Sequence, residues 1–267
     1  MIHLREVQFN SEAHRQKHFP FNLPVLENLS VLKFTSPVTI FVGENGSGKS
    51  TLLEALALSA GSIAIGSEEL PHDRTLDHVK PLAECIRLIW NKRNHRGFFL
   101  RTEDFFGYIK RSRALREYLA EESEQIEETF KDRSDYAKSL AKMPVESSLK
   151  SLEARYSGDL GARSHGEGFL TLFQSRLVPG GLFLLDEPEA ALSPLSQLGL
   201  IVMVKSMVEE GGQFIIATHS PILMAIPEAQ LLNLDHSPPE QTDFDDLEHV
   251  HLYRSFLDSP QSYIEKL

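Results

Sequence analysis

One glycine-rich stretch has the residue types and the spacing that phosphate binding requires. It runs through Gly43, Glu44, Asn45, Gly46, Ser47, Gly48, Lys49, Ser50 and Thr51, in the pattern G-x-x-x-x-G-K-S. Glycines permit backbone torsions that a side chain forbids, so backbone N–H groups can approach phosphate oxygens. Lys49 would place a positive charge on the β and γ phosphates, and the Ser50 hydroxyl would ligate Mg²⁺. The alternative, a plain glycine-rich turn, is the weaker interpretation because the motif is complete.

Two acidic residues after an apolar run would supply the catalytic group. Leu182 to Leu185 predict a buried central strand, and Asp186 and Glu187 follow it directly. We expect Asp186 to hold Mg²⁺ and Glu187 to act as the general base that activates an attacking water. An acidic turn after a strand is the alternative interpretation, and it is weakened because the chain also contains a complete phosphate-binding loop.

A histidine follows a further apolar run. Gln213 to Ala217 predict another core strand, and Thr218, His219 and Ser220 come directly after it. In open α/β sheets, ligands bind at the edge formed by the carboxyl ends of the strands. We therefore expect His219 to contact the γ-phosphate, and a purely structural histidine is the alternative.

The elements that must position these residues can be predicted from apolar periodicity and turn residues. Strands are expected near residues 2–9, 29–34, 38–42, 98–100, 231–234 and 250–253. Helices are expected at about 51–60, 169–177 and 195–209, and as a pair between 108 and 143 that Pro144 ends. Residues 61–81 are predicted to be irregular, and residues 235–248, with six acidic side chains and no lysine or arginine, to form a solvated loop.

The composition limits the classes of function. The chain has 267 residues and a formal net charge of −11, which argues against a surface that coats nucleic acid but not against a local basic patch. Cys85 is the only cysteine, so no internal disulfide can form, which fits a reducing cytosol. The first residues do not resemble a signal peptide, and no apolar run is long enough to span a membrane. We therefore expect a cytoplasmic protein.

The stretch from Arg87 to Arg116 is basic and aromatic against this acidic background. It contains nine lysine or arginine residues and two acidic residues, interleaved with six aromatic side chains. Such a mixture can bind nucleic acid, so DNA is a candidate ligand of residues Arg87 to Arg116. The alternative is a strand near Phe98 to Leu100 that packs its aromatic side chains inward and leaves arginines on solvated faces. We consider this alternative the stronger of the two.

The motifs, in this order, resemble those of the ATP-binding-cassette (ABC) ATPase superfamily. The order is the phosphate-binding loop, a Ser-x-Gly-Glu segment, Leu-Leu-Asp-Glu-Pro and Thr-His-Ser. The chain looks most like the soluble branch that includes the SMC, RecF-like and double-strand-break-repair ATPase heads and the AAA family ATPases of bacteria. The resemblance covers nearly the whole chain.

This resemblance implies an α/β fold. The core would be a P-loop NTPase of ABC-ATPase type, a mainly parallel sheet flanked by helices, with an N-terminal antiparallel β subdomain and a small helical subdomain. The chain would form a single ABC-type ATPase domain over residues 1–267. A helical insert at about residues 108–177 would carry the signature motif.

The resemblance also implies chemistry and partners. The cofactors would be ATP and Mg²⁺, with His219 as the switch histidine. Ser164, Gly166 and Glu167 would form the signature motif that caps the ATP of a second subunit, so that ATP binding produces a homodimer. Hydrolysis would drive a protein partner, such as a nuclease in DNA repair or phage defence, and a membrane partner is not expected. The alternatives are the nucleotide-binding subunit of an ABC transporter and a non-hydrolysing, ATP-dependent regulatory module.

Several positions depart from the superfamily pattern. His165 replaces a glycine of the signature motif, and Ser193 stands where an aspartate is usual. No clear glutamine occupies the position that would contact Mg²⁺ after the strand near residue 100, and Glu103 is the candidate there. Stacking on adenine would fall to Arg15 or His18.

Overall fold

Strands and helices alternate along most of this chain, and the computed structural model describes them over residues 1–10, 13, 16–65, 70–156 and 165–265. The strands are β1 (Leu4–Phe9), β2 (Val31–Lys33), β3 (Val38–Val42), β4 (Ile86–Trp90), β5 (Gly97–Arg101), β6 (Leu182–Asp186), β7 (Gln213–Ala217), β8 (Gln230–Asn233) and β9 (Glu240–Thr242). The helices are α1 (Lys49–Ala60), α2 (Lys80–Glu84), α3 (Thr102–Thr129), α4 (Asp135–Tyr156), α5 (His165–Arg176), α6 (Pro194–Glu209), α7 (Pro221–Met224), α8 (Glu248–Asp258) and α9 (Pro260–Ile264).

A six-stranded sheet forms the centre of the fold, in the order β5-β6-β7-β3-β8-β9. The first five strands of this order are parallel, and β9 pairs antiparallel with β8. Strands β3, β6 and β7 are buried at every position, as expected of parallel strands covered on both faces. Because the neighbouring strands run in parallel register, with Asp186 opposite Ala217, their carboxyl ends meet at one edge of the sheet.

A second, antiparallel sheet is built from β2, β1 and β4. It is joined to the central sheet by Gln213, whose Oε1 accepts hydrogen bonds from the backbone N–H groups of His3 and Leu4, both at 2.8 Å. The Nε2 of the same side chain donates to the Leu4 carbonyl at 2.9 Å. The predicted N-terminal antiparallel β subdomain is thus confirmed, although β2 is shorter than the strand expected at residues 29–34.

Apolar side chains cover both faces of the central sheet. One face packs against α1 and the antiparallel sheet, with Phe41 and Leu184 among the fully buried residues. The opposite face packs against α5 and α6 and is rich in aromatic side chains, and the ring centroids of Phe98 and Phe183 lie 5.1 Å apart. Phe98 and its neighbour Phe99 therefore belong to the core. The inward packing predicted for these aromatic residues is therefore confirmed.

Helices α3 and α4 form a long hairpin that begins directly at the end of β5. The buried side chains of Leu119 and Val145 hold its two helices together. Pro144 lies inside α4, so the prediction that it ends the helix was wrong. Proline removes one backbone hydrogen bond, but the apolar contacts of Val145 and Leu149 with α3 continue beyond it and offset that loss.

Three further expectations differ from the structure. Residues 250–253 belong to α8 and not to the predicted strand. The prediction failed because a short apolar run does not distinguish the 3.6-residue period of a helix from the two-residue period of a strand. Only Val250 of this run is buried, whereas Leu252 is 54% exposed. The segment 235–248 is not simply a loop, since it contains β9, and residues 61–81 contain two 3₁₀ turns and the start of α2.

The Arg101 side chain is buried in a cluster of carboxylates and is not part of a basic surface. Its guanidinium is 3% exposed and forms ion pairs with Glu54 at 3.3 Å, Asp73 at 2.8 Å and Asp104 at 2.8 Å. Burial alone would lower the pKa of the arginine, but the hydrogen bond and charge of Asp104, together with the charges of Glu54 and Glu103, raise it above its usual value. Arg101 also pairs with Asp186 in the register of β5 and β6, so the cluster lies beside the end of the acidic strand.

Replacing Arg101 with leucine would leave these carboxylates buried without their cation. We expect Arg101→Leu to lower the free energy of unfolding by about 3–5 kcal/mol, because a buried charge that loses its partner is strongly destabilising. Urea denaturation followed by circular dichroism measures this loss. The control is Arg254→Leu, since Arg254 pairs with Asp245 at 2.7 Å on the surface. Exposed pairs of this kind contribute only about 0–1 kcal/mol, and equal losses in the two variants would contradict the stabilising role of Arg101.

Candidate functional site

The carboxyl ends of β3, β7 and β6 are adjacent, and they bring the three predicted motifs to one cleft. The glycine-rich loop follows β3, Asp186 and Glu187 end and follow β6, and His219 follows β7. The cleft has a volume of about 190 Å³. It is lined by Phe19, Leu23, Asn45, Gly46, Gly48, Lys49, Ser50, Thr51, Glu187 and His219.

Lys49 is held by the loop that it belongs to. Its Nζ donates hydrogen bonds to the carbonyl oxygens of Gly43 at 2.8 Å and Glu44 at 2.9 Å, and the residue is 4% exposed. Burial lowers the pKa of the ammonium group, and the nearby carboxylates of Asp235 and Glu187 oppose this shift. The loop thus fixes a buried cation at the floor of the cleft.

Asp235 closes the loop from the next strand of the sheet, and the sequence analysis did not single it out. Its Oδ1 accepts a hydrogen bond from the backbone N–H of Glu44 at 2.8 Å. A Cβ on Gly43 would lie 2.9 Å from this same oxygen, so only glycine fits the start of the loop. Its position in the sequence does indicate this role, because Asp235 lies just beyond β8 and polar residues that follow parallel strands gather at the ligand-binding edge of the sheet.

Ser50 and Asp186 lie together beside the cleft. The Ser50 hydroxyl donates to Asp186 Oδ1 at 3.0 Å. Burial raises the pKa of Asp186 to about 7, and the carboxylates of Glu54 and Glu187 add to this effect, while the Ser50 hydrogen bond opposes it. A hydroxyl and a carboxylate are oxygen ligands that suit Mg²⁺, and a buried anionic carboxylate requires a cation. These two residues therefore fit the predicted metal site.

Glu187 and His219 face each other at the mouth of the cleft. The distance from His219 Nε2 to Glu187 Oε1 is 3.8 Å, and the two side chains are 38% and 47% exposed. Glu187 has a φ of 47°, a left-handed conformation that is uncommon for a residue with a side chain. Its backbone is fixed on both sides, because its N–H donates to the Ala217 carbonyl at 2.9 Å and its carbonyl accepts from the Thr102 hydroxyl at 2.5 Å.

Glu103 and His18, two further candidates from the sequence, do not line the cleft. Glu103 is not among the cleft-lining residues, and its exposed side chain contacts Arg101 at 3.4 Å. Arg15 lies outside the described residues, and His18 packs edge-on against Phe21. The aromatic side chain that does line the cleft is Phe19, which the sequence analysis missed because it lies in a polar segment. Its ring stacks on His78, with centroids 5.6 Å apart.

Two of the three predicted signature residues lie at the start of α5. Ser164 is outside the described residues, and Gly166 and Glu167 belong to the first turn of the helix. A Cβ on Gly166 would lie 3.3 Å from Ser196 Oγ and 3.4 Å from the Ala191 carbonyl, so α5 packs closely on the turn that follows Glu187. Gly166 and Glu167 are not among the residues that line the cleft of their own chain.

A family model described as an AAA domain matches residues 19–156, which include the whole glycine-rich loop. The chain belongs to this AAA domain family. Together with the fold, this confirms the predicted P-loop, ATP-hydrolysing enzyme of ABC type. Among the described residues, no helix of this AAA domain protein is long and apolar enough to cross a membrane.

Curated proteins with similar sequences are ATP-binding and membrane transport proteins. The cobalt import ATP-binding protein CbiO of Salmonella typhimurium is 26% identical over 203 residues, covering 74% of this chain and 67% of the relative. The chelated iron transport system membrane protein YfeB of Yersinia pestis is 25% identical over 194 residues, covering 72% of this chain and 58% of the relative. The chain thus spans about two thirds or less of the length of these relatives.

Solved structures with a similar arrangement include SMC heads and transporter ATPases. The Smc head domain of Pyrococcus furiosus, bound to the C-terminal domain of ScpA, has a TM-score of 0.49 and 13% identity, covering 96% of this chain and 100% of that chain. The cbiO1 protein of Clostridium perfringens has a TM-score of 0.45 and 16% identity, covering 100% of both chains.

Burial of Asp186 predicts a pH dependence of stability in the metal-free, nucleotide-free protein. Because folding raises the pKa of this carboxyl to about 7, the folded state binds its proton more tightly than the unfolded chain does. The contribution of this group to stability is therefore full below the unfolded pKa of about 3.9 and is lost as the pH rises through the folded pKa.

Asp186→Asn cannot titrate, so its unfolding free energy should exceed that of the wild type increasingly across this range, by on the order of 3 kcal/mol at about pH 8. Urea denaturation in EDTA at several pH values measures the difference. Asp77→Asn removes a carboxylate that is 60% exposed, and this control should show no such trend. If the difference in unfolding free energy between Asp186→Asn and the wild type did not change with pH, this would contradict the claim that burial raises the pKa of Asp186.

Proposed function

We propose that two copies of this ATPase bind two ATP molecules between them, head to tail, and that hydrolysis reopens the dimer and drives a partner. One observation carries the proposal. The glycine-rich loop, Glu187 and His219 line a single cleft, and Asp186 lies beside it at the Ser50 hydroxyl, whereas Gly166 and Glu167 at the start of α5 do not line the cleft. The signature residues would therefore act on the ATP of the second copy. Backbone N–H groups at a helix N-terminus, such as that of α5, are suited to phosphate.

Within each cleft, the residues would divide the chemistry between them. Lys49 and the backbone of the loop would bind the β and γ phosphates. Ser50 and Asp186 would hold Mg²⁺, which neutralises phosphate charge when bound, and phosphate and water would supply its other ligands.

Glu187 and His219 would carry the hydrolysis step. The oxygen of the attacking water forms a bond to the γ phosphorus, the bond to the bridging oxygen of ADP breaks, and the water proton passes to the Glu187 carboxylate. His219, 3.8 Å from Glu187, would donate a hydrogen bond to the γ-phosphate and keep the carboxylate facing the water. Both catalytic side chains would thus contact a phosphate group that is present in ATP and absent from ADP.

The helical hairpin would carry the resulting movement to the partner. We include α3, α4 and α5 in a helical subdomain that corresponds to the insert expected at about residues 108–177. Thr102 is the first residue of α3, and its hydroxyl holds the Glu187 carbonyl at 2.5 Å. A shift of the backbone at Glu187 would therefore be transmitted directly to the base of the hairpin.

The mass of Glu187→Gln in solution tests the sandwich. This variant should bind ATP but not hydrolyse it, because the amide cannot accept a proton, so Mg²⁺-ATP should shift it from monomer to dimer in light scattering. Lys49→Ala should remain monomeric because it loses the phosphate-binding cation. Adding Ser164→Arg to Glu187→Gln should abolish the dimer, whereas Gln125→Arg, at the far end of the hairpin, should not.

Two results would contradict this proposal. ATP turnover near the wild-type rate in Glu187→Gln would exclude the glutamate as the base. An ATP-saturated Glu187→Gln that stays monomeric would exclude a sandwich of two identical chains. The partner would then be a different protein, and the similarity to a cobalt import ATP-binding protein makes a membrane transport subunit the first candidate.

DNA binding is a second candidate function, and the loop between β4 and β5 supports it. Lys92, Arg93 and Arg96 of this loop are exposed, and none forms an ion pair with a carboxylate in the described part of the chain. Asn94 holds the loop in place, since its side chain donates to the Gly180 carbonyl and accepts from the Arg96 N–H at 2.9 Å. With Arg101 buried, this basic loop is the part of the Arg87 to Arg116 stretch best placed to contact phosphates.

Fluorescence anisotropy with a labelled DNA duplex at several salt concentrations tests this candidate. Changing Lys92, Arg93 and Arg96 to glutamate should weaken binding at low salt at least about tenfold and reduce the salt dependence, because fewer counterions are released. The control changes Lys33, Lys131 and Lys205 to glutamate, which alters the net charge equally at exposed sites elsewhere. Equal binding by the two variants, or no binding by the wild type at low salt, would exclude the basic loop as a DNA site.

A further inference from the structure

Glu189 contacts the backbone of the catalytic histidine. It lies in the short 3₁₀ turn Pro188–Ala191 that follows Glu187. Its Oε1 accepts a hydrogen bond from the His219 N–H at 2.6 Å, across 30 residues of sequence. A charged acceptor at this distance makes a strong hydrogen bond, so the contact joins the segment after β6 firmly to the segment after β7.

The residues on either side of His219 are fixed as well. The Thr218 N–H donates to the Phe41 carbonyl at 3.3 Å, and the Ser220 hydroxyl donates to Gln197 Oε1 at 2.5 Å. Gln197 belongs to α6, so two side chains that follow the acidic strand, Glu189 and Gln197, hold two consecutive residues of the histidine loop. The contact of the imidazole with Glu187 is longer, at 3.8 Å. The backbone therefore fixes the point and the direction from which the imidazole leaves the chain.

The second carboxylate oxygen of Glu189 argues against a purely stabilising role. Oε2 is buried and has no hydrogen-bond partner among the described residues. A buried oxygen that accepts no hydrogen bond is unfavourable for folding. Unfavourable features of this kind are found mainly at functional sites, where they are retained for the sake of function. The same turn also touches the start of α5, where a Cβ on Gly166 would lie 3.4 Å from the Ala191 carbonyl. The turn that carries Glu189 thus contacts both the helix of the signature residues, through Ala191, and the histidine, through Glu189.

We propose that Glu189 is a positioning residue for ATP hydrolysis, which holds the His219 backbone so that the imidazole faces Glu187 and the γ-phosphate. This inference rests on the proposed role of His219. The glutamate does not touch the substrate. It acts through the histidine, and its loss leaves ATP binding intact while the histidine points away from the reacting phosphate. Displacement of a catalytic group by about 1 Å can reduce the rate by about 100-fold.

Steady-state ATPase kinetics of Glu189 variants test this proposal. Glu189→Ala should lower kcat by about 10- to 100-fold and change KM for ATP by less than about twofold. Glu189→Gln should recover kcat to within about threefold of the wild type, because the amide oxygen can accept the same N–H. Glu189→Asp keeps the charge but is shorter by one methylene group, and it should lose kcat as Glu189→Ala does. Glu209→Ala, at the exposed end of α6, is the control and should be unchanged.

A double mutant separates positioning from a general loss of structure. If Glu189 acts only through His219, Glu189→Ala combined with His219→Ala should be no slower than His219→Ala alone. Losses that multiply, or a wild-type kcat in both Glu189→Ala and Glu189→Asp, would overturn the inference while leaving the role of His219 intact. Wild-type turnover by His219→Ala would instead contradict the proposed function at that residue. If Glu189→Ala fails to fold, Glu189→Asp and Glu189→Gln give the same comparison.

Discussion

The Asp186 carboxylate is kept out of water at the end of a strand that has neighbours on both sides. Strands β5 and β7 pair with β6 along its length, so the backbone around Asp186 is already satisfied and only its side chain faces the site. Ser50 gives this carboxylate one hydrogen bond. The same burial that disfavours the anionic form on its own would strengthen its attraction to a divalent cation, and binding of that cation would release the proton. The other parts of the cleft are arranged around this position.

The central part of the site could be predicted from the sequence because its chemistry is local. Each of β3, β6 and β7 is an apolar run followed at once by the polar residues that reach the cleft, and parallel pairing brings those ends together. Asp235 and Phe19 could not be found in this way. Asp235 reaches the loop only because β8 pairs with β3, and Phe19 reaches the cleft from a segment without regular structure. Tertiary pairing decides both positions.

Arg101 shows where residue type is a poor guide. In the sequence it belongs to a basic stretch with Asp104 as a local partner, yet Glu54 and Asp73 come from two separate segments that only the fold brings to it. Pro144 and the run 250–253 were misassigned for a related reason. Local propensity favours a break or a strand there, and packing against α3 or against the core overrides it.

The Gln213 side chain also determines how the molecule can lose its structure. The amide is completely buried within β7 and exchanges three hydrogen bonds with the backbone at His3 and Leu4. Detachment of the small antiparallel sheet would leave this amide without partners inside a strand of the nucleotide-binding core, which is costly in a medium of low dielectric. The two sheets therefore form one cooperative unit, and local opening that begins at the first strand spreads to the core instead of stopping at the boundary between the sheets.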